Sequence, residues 1–196
     1  MPTRKTADVA DIDLFATALE IQSFCVERGW ECCIIGGLAV LRWGQLRVTR
    51  DVDLTLLTGF GNESYYVEEL LKHFKPRNAE AAKLALSRRV LLLNSSKEVG
   101  IDISFGALPF EQLAVERSSM HKYAPRLSLR TCSAEDLIVM KLFASRPQDV
   151  RDAEGVALKH GKKIDWGYVT EQLTPLAELK EEPEILDTLR RIRKLA

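Results

Sequence analysis

Two aspartates one residue apart, Asp51 and Asp53, follow a glycine pair, Gly36-Gly37, after thirteen intervening residues. The stretch Asp51-Val52-Asp53-Leu54 alternates polar and apolar, as a half-buried strand does, so both carboxylates lie on one face. Their attachment points are then about 6–7 Å apart. Carboxylates held so closely repel unless a divalent cation lies with them. Magnesium takes hard oxygen ligands, commonly one or two carboxylates plus phosphate oxygens and water. Two such ions about 3.5–4 Å apart can activate an attacking hydroxyl and steady a departing pyrophosphate. A third acid is available in Gly100-Ile101-Asp102-Ile103-Ser104, where flanking isoleucines turn Asp102 away from the buried face. If that strand lies beside the first, Asp51, Asp53 and Asp102 share one patch as metal ligands and catalytic acids. Gly36 and Gly37 stand where a strand turns into a helix, leaving backbone amides open to phosphate oxygens at the positive helix end. Arg47 is placed to neutralise phosphate charge. Thr49 either hydrogen-bonds a phosphate or caps the loop.

The elements that must position these residues form a mixed α/β pattern. Residues 12–27 read as an amphipathic helix with Leu14, Ala18, Ile21 and Cys25 on one stripe. A short apolar strand over 32–35 leads into the glycines, a helix over 38–43 follows them, and 51–57 is a strand. Residues 63–74 and 110–117 are helical, 89–93 and 99–105 are strands joined as a hairpin, and 127–130 is another strand. Ser133, followed by Glu135 and Asp136, has the form of a helix start, and that helix ends before Pro147. From Asp149 the pattern is helical and charged, with breaks at Gly161, Pro175 and Pro183. The fold class expected is α/β (α+β): a mixed β-sheet flanked by helices over 1–131, then a small helical part over 132–196.

Composition narrows the class. The chain of 196 residues carries 28 basic and 28 acidic side chains, which excludes a strongly basic clamp over the whole surface. Cys25, Cys32, Cys33 and Cys132 lack zinc-finger spacing and read as core residues. His73, His121 and His160 are scattered. The basic run over 190–194 reads as a solvated helix face. Residues 1–11 are polar and no apolar run reaches membrane length, so a cytoplasmic, reducing setting without membrane contact is expected.

Gly36-Gly37, the thirteen-residue spacing and Asp51-x-Asp53 resemble the signature of the polymerase-β-type nucleotidyltransferase superfamily. In that family the acidic pair binds catalytic metals and a later strand supplies the third acid, which maps onto Asp102. The wording Gly36-Gly37-Leu38-Ala39 with Arg47-Val48-Thr49-Arg50-Asp51-Val52-Asp53-Leu54 is similar to the AbiEii-like branch, known as toxins of type IV toxin–antitoxin systems. That branch also carries an Asp-Leu-(x)-Lys-Leu-x-Ala helix followed by Arg-Pro-x-Asp and a second aspartate. Here these read Asp136-Leu137 through Lys141-Leu142-Phe143-Ala144, then Arg146-Pro147-Gln148-Asp149 and Asp152. By this resemblance Lys141 reaches the nucleotide phosphates, and Arg146, Asp149 and Asp152 organise the site, one of the aspartates as a candidate base. Many members of that branch have a larger C-terminal domain, whereas about forty residues follow Asp152 here.

These readings imply a magnesium-dependent nucleotidyltransferase with two metal ions, manganese being the alternative. An acceptor hydroxyl attacks the α-phosphorus of a nucleoside triphosphate in line. The resemblance favours RNA, such as a transfer RNA end, or protein as acceptor, and an antitoxin protein as partner. The rivals are a small-molecule (antibiotic-type) nucleotidyltransferase and a non-catalytic nucleotide- or partner-binding module on the same fold.

Overall fold

The computed structural model describes residues 4–196, with side chains from residue 12 onward; residues 1–11, read above for targeting signals, lie outside the described side chains. The chain divides into two compact units, Met1–Leu38 with Val48–Thr131, and Ala39–Arg47 with Cys132–Ala196.

Among the described residues of the first unit, seven strands form one mixed sheet in the order β3-β4-β5-β2-β1-β7-β6. They are β1 (Cys32–Ile34), β2 (Asp51–Leu57), β3 (Lys75–Pro76), β4 (Val90–Asn94), β5 (Gly100–Gly106), β6 (Ser119–Ala124) and β7 (Leu127–Thr131). β2 runs parallel to β5 and β1 parallel to β7, while the other pairs are antiparallel. The alternation that marked β2 and β5 is obeyed. Val52, Leu54, Leu56, Ile101 and Ile103 have no exposed surface, whereas Asp53 and Asp102 on the opposite face are half-buried and Asp51 is exposed. Helix α1 (Arg4–Glu27) buries Leu14, Ala18, Ile21 and Cys25, the stripe its spacing predicts. The remaining helices of this unit are α3 (Glu63–Leu71), α4 (Ala81–Arg88) and α5 (Pro109–Glu116). α5 closes one end of the acid-bearing face. There the Cys33 thiol donates to the Ala114 carbonyl at 3.8 Å, and Gly106 leaves room for Glu111. At the opposite end Asp51 is exposed.

Helix α2 (Gly36–Trp43) begins in the first unit, and its later residues group with the second. The second unit also holds α6 (Ala134–Ala144), α7 (Pro147–His160), a 3₁₀ turn over Gly161–Lys163, α8 (Trp166–Lys180) and α9 (Glu184–Arg193). Ser133 starts α6 as its sequence predicts, its hydroxyl accepting from the Asp136 amide at 3.1 Å. Trp43 ties Ala39–Arg47 to this unit by donating to the Cys132 carbonyl at 2.9 Å, and Gly155 gives Gln45 room to pack. The break expected at Pro175 does not occur. Proline removes one helix hydrogen bond, but Leu173, Leu176 and Ala177 around it are buried and hold α8 continuous. No described helix is long and apolar enough to cross a membrane.

Candidate active site

Asp53 of β2 and Asp102 of β5 are direct partners across a parallel pair, and Asp51 is paired with Gly100. Registered residues of parallel strands face the same way, so all three carboxylates rise from one face of the sheet. Gly100 has no side chain where a Cβ would collide with the Asp51 carboxylate and the Arg77 guanidinium. Its absence of bulk lets acid and base occupy one spot.

The glycine corner stands against Asp53. Gly36 opens α2 with φ of 56°, a left-handed conformation natural only to glycine, and a Cβ there would strike the Asp53 carboxylate. The Gly37 amide donates to Asp53 Oδ2 at 3.3 Å, so the carboxylate caps the positive end of the helix. Gly37 itself lies so close to Thr49 that a methyl group would collide with the hydroxyl. Thr49 donates that hydroxyl to the Asp51 carbonyl at 3.4 Å, which braces the loop. Glycines, threonine and acids thus make one tightly fitted corner.

Arg77, just after β3, had no motif to announce it. Its guanidinium donates to Asp102 Oδ1 at 2.5 Å and lies 3.9 Å from Asp51 Oδ1. Burial raises the Asp102 carboxyl above its ordinary value. Arg77 pulls it down without overcoming burial, and Asp51 adds a smaller upward push. Among the described residues no three His, Cys, Asp or Glu side chains converge as a ready-made metal cage. The expected meeting of three acids therefore holds in strand register but not in side-chain convergence, because Asp102 faces Arg77 and Asp53 faces Gly37. The donor set still suits a hard divalent cation: three carboxylates on one face, two of them sharing a single positive charge.

The other expected residues form a second cluster within the second unit. Lys141 on α6 is 7 % exposed, so it is no solvated surface lysine. Its Nζ lies 2.7 Å from Asp149 Oδ1 and 2.8 Å from Asp152 Oδ2. Arg47 grips Asp152 with two bonds of 2.9 Å, Gln148 donates to the same carboxylate at 2.9 Å, and Arg146 donates to Asp149 at 2.5 Å. Burial pushes the Asp152 carboxyl up, but hydrogen bonds from Arg47, Lys141 and Gln148 outweigh it and hold the group below its usual range. Gln148 was missed from sequence; its only signal is the i,i+4 spacing to Asp152 on α7.

Residues 9–186 match the model of a family described as nucleotidyltransferase of unknown function (DUF6036). The chain belongs to this family. It is a nucleotidyltransferase, with the mixed sheet and flanking helices expected of one. A search of curated proteins finds no match. Among solved structures, a nucleotidyltransferase-like antigenic protein from Paracoccidioides brasiliensis is similar at 14 % identity and TM-score 0.49, covering 93 % of each chain. The lincosamide antibiotic adenylyltransferase LnuA, bound to lincomycin, is similar at 18 % identity and TM-score 0.48, covering 70 % of this nucleotidyltransferase and 92 % of LnuA. The antibiotic-resistance factor ANT(2'')-Ia gives 19 % identity and TM-score 0.49, covering 95 % and 98 % respectively.

Proposed function

We propose that this nucleotidyltransferase moves a nucleoside monophosphate from a nucleoside triphosphate to an acceptor hydroxyl, with Asp51, Asp53 and Asp102 as the acids that hold magnesium. One observation carries the reading: three carboxylates on the same face of paired strands, beside a glycine corner that admits no side chain. When bound, magnesium supplies positive charge to the triphosphate and lowers the pKa of an attacking hydroxyl. Chemistry of this type depends on positioning and charge neutralisation more than on covalent catalysis. Asp53 is held at the start of α2 by the Gly37 amide. At Gly36 and Gly37 the space a Cβ would take is filled by Asp53 and Thr49, and a phosphate oxygen reaches the Gly37 amide by displacing the Asp53 carboxylate from it.

Lys141 is engaged by Asp149 and Asp152, and Arg47 by Asp152. Their first role is to neutralise those two nearly buried carboxylates. For the acceptor, the resemblance of 34–54 and 136–152 to the type IV toxin branch supports RNA or protein, with an antitoxin as partner. The experiment is incubation with each α-labelled triphosphate, magnesium, and total RNA or cell lysate. The label is expected on RNA or protein in a base-selective way, and Asp53→Ala is expected to abolish it while the protein stays folded. Label that moves only onto an added small-molecule alcohol assigns the acceptor to the antibiotic-type class. Binding of triphosphate without pyrophosphate release contradicts the enzymatic reading.

A further inference from the structure

The positive charge beside the acids belongs to the chain itself. Arg77 is held at its backbone, where its amide donates to the Leu92 carbonyl at 3.0 Å, while its side chain remains about 30 % exposed. The guanidinium fills the gap left by Gly100, bonded to Asp102 and drawn toward Asp51, with a weaker donation to the Leu93 carbonyl at 3.3 Å. A planar guanidinium is matched equally to carboxylate and to phosphate oxygens. It also repels a divalent cation that seeks the same carboxylate oxygens. The backbone is thus anchored, while the side chain is partly exposed to solvent.

We propose that Arg77 is a built-in counter-ion that competes with the divalent cation for Asp51 and Asp102 and turns to the triphosphate when metal and nucleotide enter together. The inference rests on the metal-binding reading of those acids. It makes cation binding conditional on nucleotide: the ion alone must evict an arginine, whereas the metal–nucleotide complex brings the phosphate that receives it. Coupling of this kind between two ligands is reciprocal and commonly amounts to about 5- to 150-fold.

The test measures manganese binding, by electron paramagnetic resonance and calorimetry, to folded wild type, Arg77→Met and Arg77→Lys, with and without a non-hydrolysable triphosphate. Without nucleotide, Arg77→Met is expected to bind manganese about fivefold more tightly than wild type, since a partly exposed ion pair is removed. Arg77→Lys should lie between them. With nucleotide the order reverses, because the phosphate loses its guanidinium. Folded Arg77→Met that binds manganese no better than wild type in the absence of nucleotide overturns the role of Arg77 and leaves the acids as metal ligands. Absence of manganese binding to either protein, with or without nucleotide, overturns the metal reading and this inference with it.

Discussion

The fit between Gly36 and Asp53 can be tested by adding one methyl group. Gly36→Ala has two separable costs. The left-handed conformation at φ of 56° penalises any Cβ by about 1–2 kcal/mol. In addition, the new carbon would collide with Asp53 Oδ2 and lie 2.7 Å from Asp53 Cβ, so the carboxylate must turn off the Gly37 amide and the backbone must shift as well. That hydrogen bond, at 3.3 Å, contributes about 0.5–1.5 kcal/mol. Gly29 provides the control, with φ of 67° and no atom within 4 Å of the position a Cβ would take, so Gly29→Ala carries the conformational cost alone. Thermal unfolding should therefore show Gly36→Ala melting about 1–6 °C below Gly29→Ala. Nucleotide transfer should fall at least about 100-fold in Gly36→Ala, because the acid is displaced by about an ångström or more, and remain near wild type in Gly29→Ala. Equal melting temperatures and equal activities for the two variants would refute the claim that the glycine corner aims Asp53.

The buried network of the second unit leads to further expectations. Lys141→Met leaves Asp149 and Asp152 short of a counter-charge and should destabilise the protein by about 2–4 kcal/mol in urea unfolding, with Arg47 and Arg146 preventing a larger loss. The lowered carboxyl of Asp152 contributes stability that is present above the ordinary carboxylate range and is lost as pH falls through that range. Melting temperature should consequently fall more steeply on acidification in wild type than in Asp152→Asn. The toxin reading proposed above predicts that the wild-type protein slows growth of a bacterial host on expression and that Asp53→Ala does not; equal growth would set the toxin role aside.

Strand β2 was legible to the residue because alternating Asp51-Val52-Asp53-Leu54 states both its period and its buried face. The same alternation around Asp102 put β5 on the sheet, and Ser133 with its acidic first turn announced α6. Helix α2 begins two residues earlier than its apolar pattern suggested, since Gly36 and Gly37 carry no side chain to join a stripe. Strand β6 escaped notice because Ser119–Ala124 is polar and largely exposed, an edge strand held by β7 alone. Helix α4 buries only the small residues Ala81 and Ala85, too little surface for a periodic signal. Among the candidate site residues, the placing of the acids and glycines in one corner was readable from spacing. Arg77 was not, because its place depends on the pairing of β3 with β4 and on the hole at Gly100, neither of which has a local signature.

The central claim is that Asp51, Asp53 and Asp102 act together on a metal-bound triphosphate. Its most direct measurement is pyrophosphate release and transfer of α-label in the presence of magnesium, comparing wild type with Asp51→Asn, Asp53→Asn and Asp102→Asn. Asparagine keeps the shape and removes the charge. Each variant should stay folded and lose transfer by at least about 100-fold. Full transfer by any folded member of this set would contradict the account.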